Sequence, residues 1–592
     1  MKNFIPQEVV VITNREIVPD SDYYLLRLYW PGHAEIQPGQ FLTIHTVCDE
    51  STAARPFAIF DWDKESVYIL FGKVGKNTEF YSKLKTTDKI MVSGPKGNPV
   101  PIDDSCQNYI LVAGGRGVAG IYPVAKKLRR MGGEVTVLLG APKPTQIVCV
   151  DMFYSLGCMV KTITDVGPEK TGFVTALFKE ELKADSGKSI IITCGPVPMY
   201  NEINNLISAS GNTGYAFLEQ MMTCGGTGAS KCCAVFTNDR KVKYVCQDGP
   251  AFEMSEVNWN VLMRPHITVP LKSSSKKDNF MEVSLGGSLI LSSPIITASG
   301  TSDYKSITDG QFDPANVGAL EVKGIMFKER SGNPPPRTCE IRGGAINTIG
   351  LAGKGIKRSI DEDIPEWQKF KKPIIVNIAG ETVEEFGQVA SRLKDEKIAG
   401  ITINASCPNV RQRDIAFGLD PGQSAAVVKA VRQAAGNMFI IFKTTPMAGL
   451  GIMDVINAVI GAGADAITIA NTYLAMDYDI YTRRPTVSRN WGGQSGPINF
   501  HQILYLVRRA YLAHPEVPII MSGGIDSGEK AIKAHLAGAS AIQIGTATFN
   551  DYQVVNNIYG FYPQMLAQYG VNNVMDIIGQ GDDFTKEEFE QQ

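Results

Sequence analysis

Residues 373–404 read PIIVNIAGETVEEFGQVASRLKDEKIAGITIN. Two short β-branched runs, Pro373–Ile378 and Gly400–Asn404, bracket a helix-like stretch of mixed polar and apolar residues. Strand, helix and strand in so short a span predict a parallel βαβ unit. The rhythm continues on both sides. Further apolar runs stand at Pro294–Ala298, Ala319–Lys323, Met438–Thr444, Ala466–Asn471, Pro518–Ser522 and Ala541–Gly545, making eight strands in about 315 residues. That count and size predict a (β/α)8 (TIM) barrel. An open doubly wound sheet of similar composition is the alternative.

Before the barrel comes Arg264 to Asn279 (RPHITVPLKSSSKKDN), with two prolines, three consecutive serines and several lysines, which reads as a linker. Ahead of it, Val9 to Pro101 shows short alternating strands and turn signals such as Pro38-Gly39, predicting a small antiparallel barrel. Tyr109–Gly114, a helical stretch over Ile121–Met131, Glu134–Leu139 and Ser189–Cys194 predict a separate α/β domain. Cysteines dominate Tyr215 to Met263. The expected division is 1–104, 105–214, 215–263, 264–279 and 280–592, a multidomain α/β protein.

Composition narrows the class. The chain has 592 residues, with 58 Lys+Arg against 60 Asp+Glu, so a basic nucleic-acid-binding surface is not expected. A 44% hydrophobic and 20% charged composition is that of a globular protein and excludes a disordered one. No window approaches 18 unbroken apolar residues, and Met1 to Glu8 has no apolar signal core, so neither a membrane span nor secretion is expected. Eleven cysteines is an odd count, and four fall within Cys224–Cys246. Reduced or metal-bound thiols in a cytoplasmic enzyme are the expectation.

In a barrel of this kind chemistry sits where strands end. The ends here are Ser299-Gly300, Lys323, Asn377, Asn404 with Cys407, Lys443, Asn471-Thr472, Gly523-Gly524 and Gly545-Thr546. Glycines after the last two strands suit a phosphate such as that of FMN. Lys323 and Lys443 can place positive charge beside a reduced flavin. Asn347, Asn404, Asn471 and Thr472 offer paired donors and acceptors for a planar imide or amide. The sharpest local signal is Asn404-Ala-Ser-Cys-Pro-Asn409: Cys407 opens a Gly-, Asp-, Arg- and Pro-rich loop, Pro408 to Gly422, that can act as a lid. A thiolate there can serve as general base, although a free cysteine is more often a small buried apolar residue. The six histidines, at 33, 45, 266, 501, 514 and 535, all fall outside the predicted strand ends.

The barrel half resembles class 1 dihydroorotate dehydrogenase, on Ala298-Ser-Gly300, Lys323, Gly332-Asn-Pro-Pro-Pro-Arg337, Asn347-Thr-Ile-Gly-Leu351, Asn404–Asn409, Gly492-Gly-Gln-Ser-Gly-Pro497, Gly523-Gly524 and Gly545-Thr546 in family order. The resemblance implies oxidation of dihydroorotate to orotate in pyrimidine synthesis. Cys407 would be the base and Lys443 the stabiliser of reduced FMN. Lys323, Asn347, Ile349, Gly350, Leu351, Asn404, Asn471 and Thr472 would hold substrate. FMN would lie on Ala298, Ser299, Lys323, Asn377, Asn404, Lys443, Ser495, Gly496, Gly523, Gly524, Gly545 and Thr546. Met447 stands where the family usually has Asn.

The first half resembles the electron-transfer partner of class 1B enzymes, a ferredoxin-reductase-like module. The resemblance puts FAD on Arg55, Pro56, Phe57, Gly75 and Thr78, with Ala58 replacing a frequent hydroxyl. It puts NAD on Gly114, Gly115 and Gly117 of Gly114-Gly-Arg-Gly-Val-Ala-Gly120 and on Cys194 and Gly195. A [2Fe–2S] cluster is implied at Cys224, Cys232, Cys233 and Cys246. The family pattern is Cys-x4-Cys-x2-Cys with a fourth Cys before Asp-Gly-Pro; allowing one extra glycine, Cys224, Cys233 and Cys246 align to it, but Ser230 takes the second position and Cys232 is a spare thiol. Two family chains stand fused here, and a homodimer or larger homo-oligomer is expected. The alternatives are a related dihydropyrimidine oxidoreductase, with another substrate or with flux reversed from NAD(P)H, and a non-catalytic scaffold.

Overall fold

A computed structural model describes residues 5–48, 53–102, 106–167, 170–184, 189–220, 222, 224–263, 271, 279–287, 289–301, 312–405, 417–551 and 553–583. The chain divides into two units at about residue 268, the second running to Asp583. The predicted linker 264–279 falls mostly outside the described residues, as does Cys407.

The first unit begins with seven antiparallel strands: Gln7–Glu16, Tyr23–Tyr29, Phe41–Ile44, Arg55–Ala58, Asp61–Trp62, Ser66–Gly72 and Lys89–Lys96, in spatial order 4-3-7-1-2-6-5. The two edge strands, Arg55–Ala58 and Asp61–Trp62, are joined by only Ile59 and Phe60. The sheet must therefore curl until its edges meet, which is the antiparallel barrel read from the alternation. Val9, Val11, Leu26, Leu28, Leu42, Val67, Ile69 and Val92 form its core.

A six-stranded sheet follows, in the order Met159–Thr164, Glu134–Ala141, Asn108–Gly114, Ile190–Cys194, Thr213–Phe217 and Ala251–Glu253. The first five are parallel and the last is antiparallel. Strand order reverses between Asn108–Gly114 and Ile190–Cys194, the crevice where doubly wound sheets bind ligands. The cysteine-rich stretch supplies the sixth strand, which pairs with Thr213–Phe217 through Tyr215↔Glu253 and Phe217↔Ala251. Sequence patterning missed this because Ala251–Glu253 is only three residues long.

The second unit is a closed barrel of eight parallel strands: β1 Ile295–Thr297, β2 Ala319–Ile325, β3 Ile374–Ile378, β4 Gly400–Ile403, β5 Phe439–Lys443, β6 Ala466–Ile469, β7 Ile519–Ser522 and β8 Ala541–Ile544. Each of the eight predicted runs forms one strand. Pairing of Ile295 with Ile542 and Thr297 with Ile544 closes the ring. Outer helices start where the chain supplies a cap: Thr382 Oγ1 accepts from the Glu385 N–H ahead of Val383–Leu393, and Asp420 Oδ1 from the Gln423 N–H ahead of Pro421–Ala435. A four-stranded antiparallel sheet, Thr338–Ile341, Gly344–Asn347, Gly492–Ser495 and Tyr473–Ala475, accompanies the barrel. Among the described residues no helix is long and apolar enough to cross a membrane.

Phe442, fully buried in β5, is among the largest side chains of the barrel core. Phe442→Ala is expected to cost about 3–5 kcal/mol through lost contact and cavity formation, read as a lower calorimetric midpoint. A midpoint unchanged from wild type would contradict this packing.

Candidate active site and cysteine segment

At the carboxyl ends of the barrel strands the predicted amides form a hydrogen-bonded row. Asn471 Nδ2 donates to Asn404 Oδ1 (3.1 Å), Asn404 Nδ2 lies 3.4 Å from Asn377 Oδ1, and the Thr472 N–H donates to Asn471 Oδ1 (2.9 Å). Beneath them is a residue that sequence reading passed over. Glu321, in the middle of β2, is fully buried. Asn377 Nδ2 donates to its Oε1 (3.0 Å), and Thr402 Oγ1 and Gln543 Nε2 donate to its Oε2 (3.0 and 2.6 Å). Gln543 in turn accepts at Oε1 from Lys443 Nζ (3.4 Å). Burial holds the Lys443 ammonium below its usual pKa, and the Glu321 carboxylate opposes that shift. The available signal for Glu321 was a charged residue inside an otherwise apolar strand run, which needs partners to be buried.

Other predicted residues fall around this row. Lys323 is exposed within β2, its Cγ 3.9 Å from where a Cβ on Gly300 would sit. Ser299 Oγ donates to the Val322 carbonyl (2.9 Å), and Ala298 N–H to that of Ile544 (3.0 Å). Gly545, with Thr546 following it, sits against Ala298, to whose Cβ an added Cβ would come within 3.0 Å. Gly523 and Gly524 have φ of +129° and +77°, and a Cβ would lie 2.4 Å from Ile503 and 2.7 Å from Phe500. A turn packed so closely presents backbone rather than side chain, which suits a phosphate. Together with the buried ammonium and the amide row, these residues fit FMN.

The accompanying sheet brings in Asn347 and Thr472. Asn347 Nδ2 donates to the Gly493 carbonyl (3.1 Å), and a Cβ on Gly493 would strike Thr472 Oγ1 at 2.1 Å. Ile349, Gly350 and Leu351 form a tight turn with positive φ at Gly350 and Leu351. Asn333 staples it: its N–H donates to the Ile349 carbonyl (3.1 Å) and its Nδ2 to Thr348 Oγ1 (2.9 Å). Ser495 ends the Gly492–Ser495 strand opposite Ala345, and Gly496 (φ +114°) packs on Gly344.

In the first unit, a cavity of about 550 Å³ is lined by Arg55, Pro56, Phe57, Gly75, Thr78 and Arg116 among others. Phe57 packs edge-on against Phe71 and Tyr81. Thr78 Oγ1 accepts from the Val74 and Gly75 N–H groups, fixing the turn into helix Lys76–Ser82. Two guanidinium groups and that turn fit a dinucleotide such as FAD. An adjoining cavity of about 80 Å³ is lined by Phe57, Ala58, Gly120, Cys194 and Glu219 among others. Here the two NAD motifs meet. A Cβ on Gly117 would lie 1.7 Å from the Cys194 carbonyl, one on Gly114 2.8 Å from Pro196, and one on Gly195 3.0 Å from the Gly114 N. Gly115 takes φ +53°. This close approach at the strand-order switch point requires glycine.

The cysteines fall into two groups. Cys233 and Cys246, both buried, flank hairpin Ala234–Phe236/Val242–Tyr244 with their sulfurs 3.3 Å apart. On the other side Ser230 Oγ lies 3.1 Å from Cys232 Sγ and hydrogen-bonds Cys224. Burial raises the Cys224 thiol, but the hydroxyls of Ser230 and Thr227 and the N–H groups of Ser230 and Gly226 outweigh it and bring it down to about 5. Burial, with the Cys233 thiol beside it, pushes Cys246 up to about 12. Cys232 is exposed and Cys233 buried, so the adjacent thiols point apart. Among the described residues no group of three His, Cys, Asp or Glu side chains could hold a single metal ion. Two pairs of ligands, one per iron, is nonetheless the arrangement a [2Fe–2S] centre uses, so the residues fit one. Beneath the loop, Lys96 donates to the Gly225 carbonyl; burial pushes its ammonium down to about 8 against the opposing fields of Cys224 and Cys246.

Fold and site together define a barrel-based flavin oxidoreductase that also carries an antiparallel sheet, a doubly wound sheet and a thiol-rich segment. The chain belongs to the dihydroorotate dehydrogenase family. The family described as "Dihydroorotate dehydrogenase" matches residues 284–566, and "Iron-sulfur cluster binding domain of dihydroorotate dehydrogenase B" matches residues 219–258. The "Dihydroorotate dehydrogenase B (NAD(+)), catalytic subunit" of Geotalea daltonii is 38% identical over 309 residues, 52% of this chain and 98% of that protein. The protein of that name from Trichlorobacter lovleyi is 40% identical over 294 residues, 50% of this chain and 96% of that one. A solved structure from work on an NADH-dependent reduced ferredoxin-NADP oxidoreductase is 28% identical, covering 43% of this chain and 91% of that one, at a TM-score of 0.40.

In iron-free protein Cys224 is expected to be alkylated by iodoacetamide near pH 6, with labelling rising through about pH 5 as the thiolate forms. Ser230→Ala is expected to move that rise to higher pH, read by peptide mass spectrometry. Labelling of Cys224 only above pH 8 would contradict the hydrogen-bonded thiolate.

Proposed function

We propose that this chain oxidises dihydroorotate to orotate in pyrimidine biosynthesis and passes the electrons to NAD. The observation that carries the reading is the row Asn377–Asn404–Asn471 beside the buried Lys443 at one end of the barrel. Bound FMN would supply the acceptor for the hydride leaving C6 of the ring, while an iron–sulfur centre and FAD supply the relay to NAD.

The chain's own groups do the rest. Cys407 takes the C5 proton as a general base, so that a carbon–carbon double bond forms between C5 and C6. Asn347, Asn404, Asn471 and Thr472 orient the ring, with the Ile349–Leu351 turn facing its carboxylate. Lys323 supports FMN and substrate. Lys443 keeps positive charge where negative charge gathers on reduction, and the Glu321–Gln543 pair holds its side chain in place. FMN is assigned to the barrel within 280–592, FAD to the first sheet, NAD to the crevice at Gly114–Gly120 and Cys194-Gly195, and the cluster to Cys224, Cys232, Cys233 and Cys246. Ser230 then serves as a hydrogen-bond donor to the ligating sulfurs. On this reading the chain acts as a homodimer or larger homo-oligomer in the cytoplasm, where thiols stay reduced.

The test is stopped-flow bleaching of flavin absorbance without oxygen, with dihydroorotate and dihydrouracil side by side. Dihydroorotate is expected to bleach the wild type and dihydrouracil to leave it oxidised. Cys407→Ala is expected to slow bleaching about 10²–10⁴-fold, the usual worth of a general base. Wild-type speed in Cys407→Ala, or faster bleaching by dihydrouracil, would overturn the assignment.

A further inference from the structure

Lys96 is 3% exposed at the end of strand Lys89–Lys96, yet its charged end points into the cysteine loop. Its Nζ donates to Thr43 Oγ1 and Ser93 Oγ, each at 2.6 Å, and to the carbonyl of Gly225, the residue after Cys224. A Cβ on Gly226 would touch the lysine stem at 3.2 Å, so the loop lies directly on the side chain. His45 closes the group, its Nε2 2.7 Å from Ser93 Oγ. Burial, then the charge of Lys96, holds the imidazole below its ordinary pKa, leaving the lysine as the cation of the group.

The hydroxyls and the carbonyl named here can be satisfied by a neutral amide of similar length as well as by an ammonium. Burying an ammonium is costly without negative charge close by. Cys224 and Cys246 of the thiol-rich segment supply negative charge that supports the ammonium against burial. Reduction of a thiolate-bound iron–sulfur centre adds one electron, so a cation fixed nearby stabilises the reduced form more than the oxidised form. A buried site screens that attraction far less than a surface one. We propose that Lys96 sets the reduction potential of the iron–sulfur centre, drawing it upward so that the centre can receive electrons from the barrel flavin. The proposal rests on the iron–sulfur reading of the cysteine segment.

The test is an anaerobic redox titration of the whole, iron-loaded chain, following the electron paramagnetic resonance signal of the reduced centre. Lys96→Gln keeps a donor to Gly225 and removes the charge; its midpoint is expected to fall below that of wild type. Thr43→Asp keeps the lysine but pairs it with a carboxylate, and should lower the midpoint in the same direction even where Lys96→Gln fails to load iron. Wild-type midpoints in iron-loaded variants would overturn the proposal and show Lys96 to be only a structural tie. A wild-type chain with no iron and no signal would overturn the iron–sulfur reading itself.

Discussion

Closure of the barrel between β8 and β1 is the constraint on which the second unit depends. The seam is short, with Ile295, Ile296 and Thr297 opposite Ile542, Gln543 and Ile544. It makes eight parallel strands point the same way around one ring, so that their carboxyl ends share one face. Without closure Asn377, Asn404, Lys443 and Asn471, spread over almost a hundred residues of sequence, have no reason to meet. Gln543 sits in the seam itself and carries the link from Glu321 to Lys443. The bond pattern that closes the fold therefore also fixes Lys443.

That arrangement puts polar groups where an ordinary barrel core would be apolar. Glu321, Asn377, Thr402 and Gln543 are almost completely buried and bonded to one another. Such a network is stable only when every member is satisfied, and it then specifies one arrangement sharply. The carboxylate is an acceptor only, and three donors converge on its two oxygens. It orients the amide of Asn377, and through Asn404 and Asn471 that orientation runs across the mouth of the barrel.

The eight strands were legible because β-branched runs at regular spacing are a local signal. The strand-end amides, lysines and glycines were legible because a parallel barrel assigns them a face. The resemblance supplied roles that spacing alone leaves open, as for Ile349–Leu351. What the sequence concealed lies in contacts between distant residues. Asn347 meets Gly493 only because two four-residue strands pair across the accompanying sheet. Glu321 finds Gln543 across the barrel interior, 222 residues away. Lys96 reaches Gly225 across 129 residues, and nothing in the local run Gly94-Pro-Lys-Gly97 marks that lysine as buried. The cysteine pattern was readable as thiols near a cluster, but the opposite orientations of Cys232 and Cys233 are a property of the folded loop.

On the proposed function, two flavin sites and a thiol-rich segment in one chain form a single path from dihydroorotate to NAD. The most direct measurement is cofactor and iron content of protein purified without oxygen, with absorbance recorded as dihydroorotate and then NAD are added. One FMN, one FAD and two irons per chain are expected, all reduced by dihydroorotate and all reoxidised by NAD. Bleaching that stops at one flavin and does not reverse with NAD, or no bleaching by dihydroorotate at all, would contradict it.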